Sequence, residues 1–261
     1  MAIAATPAMT SATTVSSMVA SRGEGWHVLT SAAVVSVIVV GGAIGAGKTT
    51  TARLLGEHLG SEVFYEDVTS SKILPLFYTA PPEEQAARRY PFMLQLEFLS
   101  SRFRSIKAAL ANDDNVLDRS IYEDWYFAKV NTELGRISPD EFTLYEGLLD
   151  NMLEEIDGMP KKSPDLFVYL RAPFDVLMGR IATRGRDFEQ ASSLVDYYRR
   201  LWEGYDEWVY DSYDASQVLT VDTEHLDLAT EPEHVGELNA AVDAALADVR
   251  AGRPLSVPRI G

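Results

Sequence analysis

One stretch decides the fold of this chain: Gly42-Ala43-Ile44-Gly45-Ala46-Gly47-Lys48-Thr49. It matches the phosphate-binding pattern G-x-x-x-x-G-K-S/T at every fixed position. The apolar run at residues 34–40 predicts a buried strand before it, and the spacing of Ala52, Leu55 and Leu59 predicts a helix after it. In that context backbone N–H groups surround phosphate oxygens at the positive end of a helix. The stretch therefore predicts a nucleoside triphosphate site, with Lys48 on the β- and γ-phosphates and Thr49 on Mg²⁺.

The composition bounds the class of protein. A length of 261 residues with 46% hydrophobic content can supply the core of one sizeable α/β domain. The net charge of −16 disfavours an extended nucleic-acid surface, which needs clustered cations. The absence of cysteine from the sequence excludes disulfides and thiolate metal sites. The run at residues 34–40 is too short to cross a bilayer. We expect a cytoplasmic protein with small phosphorylated ligands and without nucleic-acid or membrane partners.

The sequence predicts one domain behind an N-terminal extension. Residues 1–31 are rich in Ala, Ser and Thr and lack the basic segment that opens a secretory signal. We therefore predict a disordered extension over residues 1–31 and a single domain over residues 32–261.

Four further apolar runs predict strands, at residues 62–65, 115–117, 166–170 and 217–221. Helical patterns separate them, which indicates a five-stranded parallel sheet flanked by helices. Such a sheet binds ligands beyond the carboxyl ends of its strands. Glu66 follows the second run, and Asp118 and Arg119 follow the third, so these side chains are expected at the site.

Two helical stripes stand out. The first begins near Pro91 and is apolar at Phe92, Leu96, Leu99, Phe103, Ile106 and Leu110. Gln95 and Arg102 lie along one edge of it, where spacing alone is typical of a solvated flank. The second stripe is largely aromatic, and we interpret it as a packing surface; it consists of Leu194, Tyr198, Leu201, Tyr205 and Trp208.

Other motifs narrow the reaction. The guanine-reading pattern Asn/Thr-Lys-x-Asp is absent from the sequence, which argues against a GTPase. Arg119 stands where a motor ATPase would carry the carboxylate that activates water, so transfer to a bound acceptor is favoured over hydrolysis. Arg180, Arg184 and Arg186 predict a closing lid that places cations on the γ-phosphate. The alternative is a solvated helix face whose arginines pair with neighbours such as Glu189.

With these residues assembled, the chain resembles the deoxynucleoside kinase family, in particular its bacterial deoxyadenosine/deoxyguanosine kinase branch, from about residue 37 to residue 221. The motifs that carry the resemblance are Tyr65-Glu66-Asp67-Val68, Leu76-Phe77-Tyr78, Gln95 with Ser101-Arg102-Phe103-Arg104, Asp118-Arg119-Ser120 and Arg184-Gly185-Arg186-Asp187-Phe188-Glu189. The resemblance implies a P-loop kinase fold with an arginine-bearing lid, and a homodimer. It also implies ATP as the phosphate donor. Residues 42–49 and Thr50 would hold the ATP phosphates, together with the lid arginines Arg180, Arg184 and Arg186.

The resemblance also implies roles at the acceptor. Glu66 is the general base for the sugar 5′-hydroxyl, and Arg119 holds that carboxylate and the transferring phosphate. Asp118 and Thr49 organise Mg²⁺. The remaining substrate contacts are Tyr78 and Glu189 on the 3′-hydroxyl, and Gln95, Arg102 and Asp124 on the base.

Two segments depart from the family pattern. The linker that begins at Thr79-Ala80-Pro81-Pro82 is longer than usual by about one helical turn. The segment Thr69-Ser70-Ser71-Lys72 replaces a usual Asn-Pro pair, so one wall of the base pocket is expected to differ.

The sequence thus predicts an ATP-dependent deoxynucleoside 5′-kinase with deoxyadenosine or deoxyguanosine as acceptor. A nucleoside monophosphate kinase such as a thymidylate kinase is the alternative enzyme. It would need an extra cationic site for the acceptor phosphate, whereas Glu66 suits a neutral hydroxyl. A nucleotide-binding regulatory protein without transfer activity is the third possibility, and nucleoside-dependent ATP turnover separates it from a kinase.

Overall fold

The computed structural model describes residues 37–112, 114–156 and 164–261. In this part of the chain a six-stranded parallel sheet has the order β2-β3-β1-β4-β5-β6. Its strands are β1 Val37–Gly42, β2 Val63–Phe64, β3 Asn115–Asp118, β4 Leu166–Arg171, β5 Gln217–Asp222 and β6 Arg259–Ile260. The predicted extension over residues 1–31 and the predicted domain start at residue 32 lie outside the described residues.

Helices cover both faces of the sheet, so the α/β class is confirmed. They are α1 Lys48–Leu59, α2 Ile73–Thr79, α3 Pro82–Arg88, α4 Tyr90–Ala109, α5 Ile121–Glu133, α6 Pro139–Ile156, α7 Phe174–Arg184, α8 Val195–Glu203, α9 Tyr205–Glu207 and α10 Pro232–Arg250. Short 3₁₀ turns at Asp187–Glu189 and Ser192–Leu194 follow α7, and a π-helical turn at Trp208–Ser212 follows α9. None of the helices described is long and apolar enough to cross a membrane.

The prediction of five strands was one short. The five predicted runs all form strands, but β6 adds a sixth, in which Arg259 and Ile260 pair with Thr220 and Val221 of β5. A strand of two residues, one of them charged, makes no apolar run. Its pairing depends on the free edge of β5, and the sequence carries no pattern that predicts it.

The central strands form the core. Every residue of β1 is buried, and so are the first five of β4, because helices lie on both faces. Burying each Val, Leu or Ile side chain contributes roughly 1.5–3 kcal/mol. The connection after β1 leads to β2 near one edge, and that after β3 leads across to β4. The loops after β1 and β3 therefore diverge and leave a crevice at the carboxyl ends of these neighbouring strands.

Helix α4 is oriented differently from what its apolar stripe predicts. Leu99 is fully buried, but Phe92, Leu96 and Ile106 are only half-buried where they pack against α5 and α6. Gln95 and Arg102 are 2% and 3% exposed. The solvated-flank interpretation of this edge was wrong, because the flank faces the crevice at the strand ends.

The aromatic stripe packs as predicted. All of its members are buried, and the Tyr205 ring lies 5.5 Å from that of Tyr169 on β4 and 5.2 Å from that of Tyr126 on α5. The longer linker after Tyr78 forms α3, a helix of its own. In the segment that replaces the Asn-Pro pair, Ser71 Oγ accepts a hydrogen bond from Leu74 N at 2.9 Å and so supports the start of α2.

Candidate active site

A cavity of about 730 Å³ lies at the carboxyl ends of the strands. Its walls come from the phosphate loop (residues 42–49), the segments after β2, β3 and β5, and helices α2, α4, α5 and α7. This volume is within the range of pockets that enclose a nucleotide-sized ligand. All but three of the substrate- and phosphate-site predictions line this cavity; Gly42, Ala43 and Arg102 lie behind its wall.

The phosphate loop joins β1 to α1 with the expected strained glycines. Gly45 has φ of 86°, and a Cβ there would lie 2.8 Å from the carbonyl oxygen of Leu177. Gly42 has φ of 145°, and a Cβ there would lie 2.6 Å from the carbonyl oxygen of Leu170. Helix α1 has no side-chain cap at Gly47, so its first N–H groups face the cavity. The loop is therefore built to receive an anion.

Lys48 bends back over this loop. Its Nζ donates to the carbonyl oxygens of Gly42 at 2.6 Å and Ala43 at 2.8 Å. Burial, together with the nearby charge of Arg119, lowers the pKa of Lys48 to about 7. Phosphate groups at the loop would add negative charge beside Nζ and favour its charged form.

Thr49 and Asp118 meet at the start of α1. Thr49 Oγ1 donates to Asp118 Oδ2 at 2.7 Å, and Asp118 is buried at the end of β3. A hydroxyl and a carboxylate are the oxygen ligands that Mg²⁺ takes. The donor set thus fits a magnesium ion beside the phosphate loop.

Glu66 is held by two arginines from different parts of the chain. Arg102 Nη2 donates to Glu66 Oε1 at 2.9 Å, and Arg119 Nε donates to Glu66 Oε2 at 3.1 Å. Burial acts to raise the pKa of Glu66, but Arg119, Arg102 and Lys48 outweigh it and hold that pKa below its usual value. Glu66 is therefore an ionised carboxylate facing the cavity.

Arg119 occupies a strained position just after β3. Its φ is 81°, a conformation that costs a non-glycine residue roughly 1–2 kcal/mol. Its N–H donates to the carbonyl oxygen of Val40 at 3.0 Å, and its guanidinium lies 4.8 Å from the ring centre of Phe127. These contacts orient the Arg119 side chain into the cavity, where it hydrogen-bonds Glu66. Strain of this kind collects at functional sites.

Arg102 anchors the opposite wall. Besides Glu66, it donates from Nε to Asp124 Oδ2 at 3.1 Å and from Nη1 to the carbonyl oxygen of Asp118 at 2.7 Å. Burial outweighs this pairing and raises the pKa of Asp124 to about 6. Gln95 lies beside them, and its buried Oε1 has no hydrogen-bond partner within the described part of the chain. An unpaired buried acceptor at a cavity wall indicates a ligand that donates to it.

Tyr78 and Glu189 lie at another wall of the cavity. The Tyr78 ring stacks on Phe188 with centroids 5.7 Å apart. Burial raises the pKa of Tyr78 well above its usual value, so its hydroxyl stays protonated and can donate. Glu189 is buried and offers carboxylate oxygens.

The predicted lid arginines line the cavity but are paired. Arg184 and Arg186 both donate to Glu189, the latter at 3.2 Å, as the alternative interpretation expected. Arg180 donates to Thr223 Oγ1 at 2.8 Å and to its carbonyl oxygen at 2.6 Å. Gly185, with φ of 67°, ends α7 between these cations.

Sequence reasoning missed Glu123. Its carboxylate is completely buried below the phosphate loop and accepts from Gly42 N at 3.1 Å. The pattern Ser120-Ile121-Tyr122-Glu123 is a capping box, which predicts the bond from Ser120 N to Glu123 that the structure shows at 2.8 Å. That signal locates the start of α5 but carries no information about the contact with Gly42.

Comparisons with known proteins bear on this site. A family model described as deoxynucleoside kinase matches residues 38–247. The chain is 46% identical over 211 residues to a deoxyguanosine kinase of Lactobacillus johnsonii, covering 79% of this chain and 91% of that protein. It is 40% identical over 218 residues to a deoxyadenosine kinase of Lactobacillus acidophilus, covering 82% and 98%.

Solved structures agree with the fold. The structure of deoxyadenosine kinase from M. mycoides with bound dCTP superposes with a TM-score of 0.63 at 26% identity, covering 79% of this chain and 98% of that one. The structure of the same kinase with bound dATP gives a TM-score of 0.66 at 25% identity, covering 79% and 99%.

Proposed function

The chain belongs to the deoxynucleoside kinase family, and we propose that it transfers a phosphoryl group from a nucleotide to the 5′-hydroxyl of a purine deoxynucleoside. The family expected from the motifs is confirmed. One observation carries the proposal: a single cavity holds the phosphate loop and, facing it, the ionised Glu66 carboxylate. One cavity thus provides a site for a phosphate donor and a carboxylate that can accept the proton of a hydroxyl.

The donor end suits ATP. Its phosphates would lie on the loop N–H groups, Lys48 and Thr50, with Arg180, Arg184 and Arg186 closing over them from α7. That closure requires the arginines to exchange their contacts with Glu189 and Thr223 for phosphate oxygens. Thr49 and Asp118 would hold Mg²⁺, which when bound supplies positive charge on the β- and γ-phosphate oxygens.

Glu66 performs the acid–base chemistry. It receives the proton of the 5′-hydroxyl as the hydroxyl oxygen bonds to the γ-phosphorus. The bond from that phosphorus to the β,γ-bridging oxygen breaks, and the nucleoside diphosphate leaves. A carboxylate with a depressed pKa is a weak base, but phosphoryl transfer needs mainly positioning and little early proton removal. Arg119 holds Glu66 at one oxygen and lies beside the path of the phosphoryl group.

The acceptor would be recognised by its sugar and its base. We assign the 3′-hydroxyl to Tyr78 as donor and Glu189 as acceptor. We assign the base edge to Gln95 and Asp124, which face the cavity, with Arg102 behind them holding Asp124 in place.

The alternative enzyme, a nucleoside monophosphate kinase, is less well supported. It requires free cations for the acceptor phosphate. The two cations nearest Glu66, Arg102 and Arg119, both pair with that carboxylate. We also propose a homodimer, from the family resemblance, and, from the composition and pattern of the sequence, a cytoplasmic protein with one domain over residues 32–261. Light scattering on the purified protein tests the dimer.

Turnover tests the function. Purified protein is incubated with γ-³²P-labelled ATP and Mg²⁺, alone, with deoxyadenosine or deoxyguanosine, or with the corresponding 5′-monophosphates. We expect labelled monophosphate and equimolar ADP only when a nucleoside is added. ADP release without any acceptor would contradict transfer. Transfer of label only to the added 5′-monophosphates, which become labelled diphosphates, would establish a nucleoside monophosphate kinase instead. No turnover at all would favour the regulatory protein.

A further inference from the structure

A buried carboxylate connects the two loops that form the reaction centre. Glu123 Oε1 accepts from Gly42 N at 3.1 Å, at the start of the phosphate loop. Glu123 Oε2 accepts from Ser120 N at 2.8 Å, directly after Arg119. The two segments also meet directly, where Arg119 N donates to the carbonyl oxygen of Val40 at 3.0 Å and Thr49 Oγ1 donates to Asp118 Oδ2 at 2.7 Å. Glu123, on α5, adds one side chain that bonds the backbone of both loops at the same time.

Tyr205 supports this carboxylate from the opposite side of the core. Its hydroxyl donates to Glu123 Oε1 and itself accepts a hydrogen bond from Gly42 N at 3.1 Å. Tyr205 is 1% exposed, and its ring is wedged between those of Tyr169 and Tyr126. The hydroxyl thus has a fixed position, and with it the orientation of the carboxylate.

The backbone is shaped to admit this contact. A Cβ on Gly41 would lie 2.9 Å from Glu123 Oε2 and 2.3 Å from the Phe167 ring, so only glycine allows the carboxylate to approach the end of β1. The backbone of Gly42 is then held on both sides of its Cα. Its N–H donates to Glu123, and its carbonyl accepts from Lys48 Nζ at 2.6 Å.

A completely buried carboxylate is expensive without a paired cation. In the described part of the chain, Glu123 forms no direct ion pair; it accepts from the two N–H groups and the Tyr205 hydroxyl, and it interacts at longer range with the charges of Arg119 and Lys48. A capping box needs only a surface Glu for the Ser120 contact. Burial at this position is therefore explained by the contact with the phosphate loop, not by helix capping.

We propose that Glu123, held by Tyr205, is a positioning residue for phosphoryl transfer, which sets the phosphate loop and Arg119 on the same phosphoryl group. The proposal rests on the proposed kinase function. It assigns Glu123 no contact with substrate. Misplacing reacting groups by about 1 Å costs on the order of 10²-fold in rate, so loss of the tie acts on kcat.

Glu123→Gln tests the proposal, because an amide cannot accept from both loops and from Tyr205 at once. We expect kcat to fall about 10- to 100-fold, with the KM for deoxynucleoside within about twofold of wild type. Glu133→Gln is the matched control on the same helix; Glu133 is exposed, pairs with Arg200 and lies away from the cavity. That variant should keep wild-type kinetics.

Tyr205→Phe completes a double-mutant cycle. Alone, it should lower kcat by about three- to tenfold, and in the Glu123→Gln background it should lower kcat by less, because part of its effect acts through Glu123 and part through its own bond from Gly42 N. A purely structural role predicts instead losses of melting temperature with unchanged kcat per folded molecule. If Glu123→Gln does not fold by circular dichroism, Tyr205→Phe alone decides: a lowered kcat supports the proposal, and an unchanged kcat overturns it.

Activity of the wild type distinguishes failure of the positioning role from failure of the proposed kinase function. If the wild type transfers phosphate and both variants match its kcat, the positioning role is wrong while the kinase function stands. If the wild type shows no nucleoside-dependent transfer, the proposed function is wrong and the positioning role falls with it.

Discussion

Arg102 donates to Glu66 across 2.9 Å, and this bond joins the base pocket to the proposed proton acceptor. The same guanidinium holds Asp124 through Nε. A change at the base edge can therefore reach the reacting carboxylate through one rigid side chain. Because Arg102 is almost completely buried, these bonds are shielded from solvent and little screened by salt. The proposed proton acceptor and the proposed base contact thus belong to one buried charge network.

Replacing Glu66 with Gln should lower kcat by roughly 10²–10⁴-fold, the usual contribution of general-base catalysis. The amide keeps the shape but cannot take the proton, so deoxynucleoside affinity should change little. Steady-state kinetics with the Glu133→Gln protein as control measures this. A kcat within a few-fold of wild type would place the base elsewhere.

Removing Arg102 should destabilise the protein. In Arg102→Met, Asp124 loses the one ion-pair partner it has among the described residues, and Glu66 keeps its ion pair with Arg119. Breaking a buried pair on one side costs about 3–5 kcal/mol of unfolding free energy. The double variant Arg102→Met/Asp124→Asn should recover part of that loss, since the second change removes the orphaned charge. Urea denaturation measures both; equal stability of the single variant and wild type would contradict the network.

The sequence predicted the parts of the site that follow strands. Glu66, Asp118 and Arg119 come directly after apolar runs, and parallel strands bring such positions to one edge. The phosphate loop was predictable because its glycines have conformational requirements that few other residues meet.

Other parts depend on tertiary packing, which leaves no periodic signal. The spacing of Gln95 and Arg102 matched a solvated flank, and only the family resemblance pointed to the pocket; the rotation of α4 buries them. Glu123 was hidden because its capping partner is local, whereas Gly42 lies 81 residues away along the chain. β6 depends on the free edge of β5.

Lys48→Ala should abolish phosphoryl transfer while the protein stays folded. Lys48 hydrogen-bonds backbone carbonyls of its own loop at the cavity wall, and Glu66 keeps its direct ion pairs with Arg102 and Arg119 when Lys48 is removed. Activity and the circular dichroism melting curve are measured on the same preparation. Undiminished turnover would contradict the assignment of the donor site.

Acid should weaken the enzyme near pH 6. The pKa of Asp124 is raised to about 6, so the carboxylate that faces the base gains a proton below that pH. We expect kcat/KM for a purine deoxynucleoside to fall as pH drops through this value, and the fall to disappear in Asp124→Asn. Because the folded pKa lies above the usual value, this protonation adds stability as pH falls. Protonation of Asp124 should therefore not lower the melting temperature between pH 7 and 5.5. If the protein unfolds over the pH range in which kcat/KM falls, Asp124 is not the cause of that fall.

Base preference follows from the two polar groups on the cavity wall. The Gln95 amide can accept from an amino group and donate to a ring nitrogen, the pairing that adenine offers at N6 and N7. Asp124 accepts only, which suits the amino group of adenine, guanine or cytosine. Arg102 lies behind the wall, with its three nitrogens each bonded to protein, so it positions Asp124 more than it reads the base.

Thymine has no exocyclic amine and adds a methyl group. Its N3–H can still donate to Gln95 Oε1, but its exocyclic oxygen cannot donate to Asp124, the acceptor-only carboxylate on the cavity wall. Unpaired polar groups in a closed site discriminate by on the order of 10²-fold or more in kcat/KM. We therefore expect the purine deoxynucleosides to be the best substrates, deoxycytidine to be weaker and thymidine to be the poorest. Competition between all four for limiting enzyme measures this order. Asp124→Asn, whose amide can donate to the thymine oxygen, should narrow the gap between purines and thymidine. Thymidine outpacing both purines in the wild type would overturn the pocket assignment, while the donor site would be unaffected.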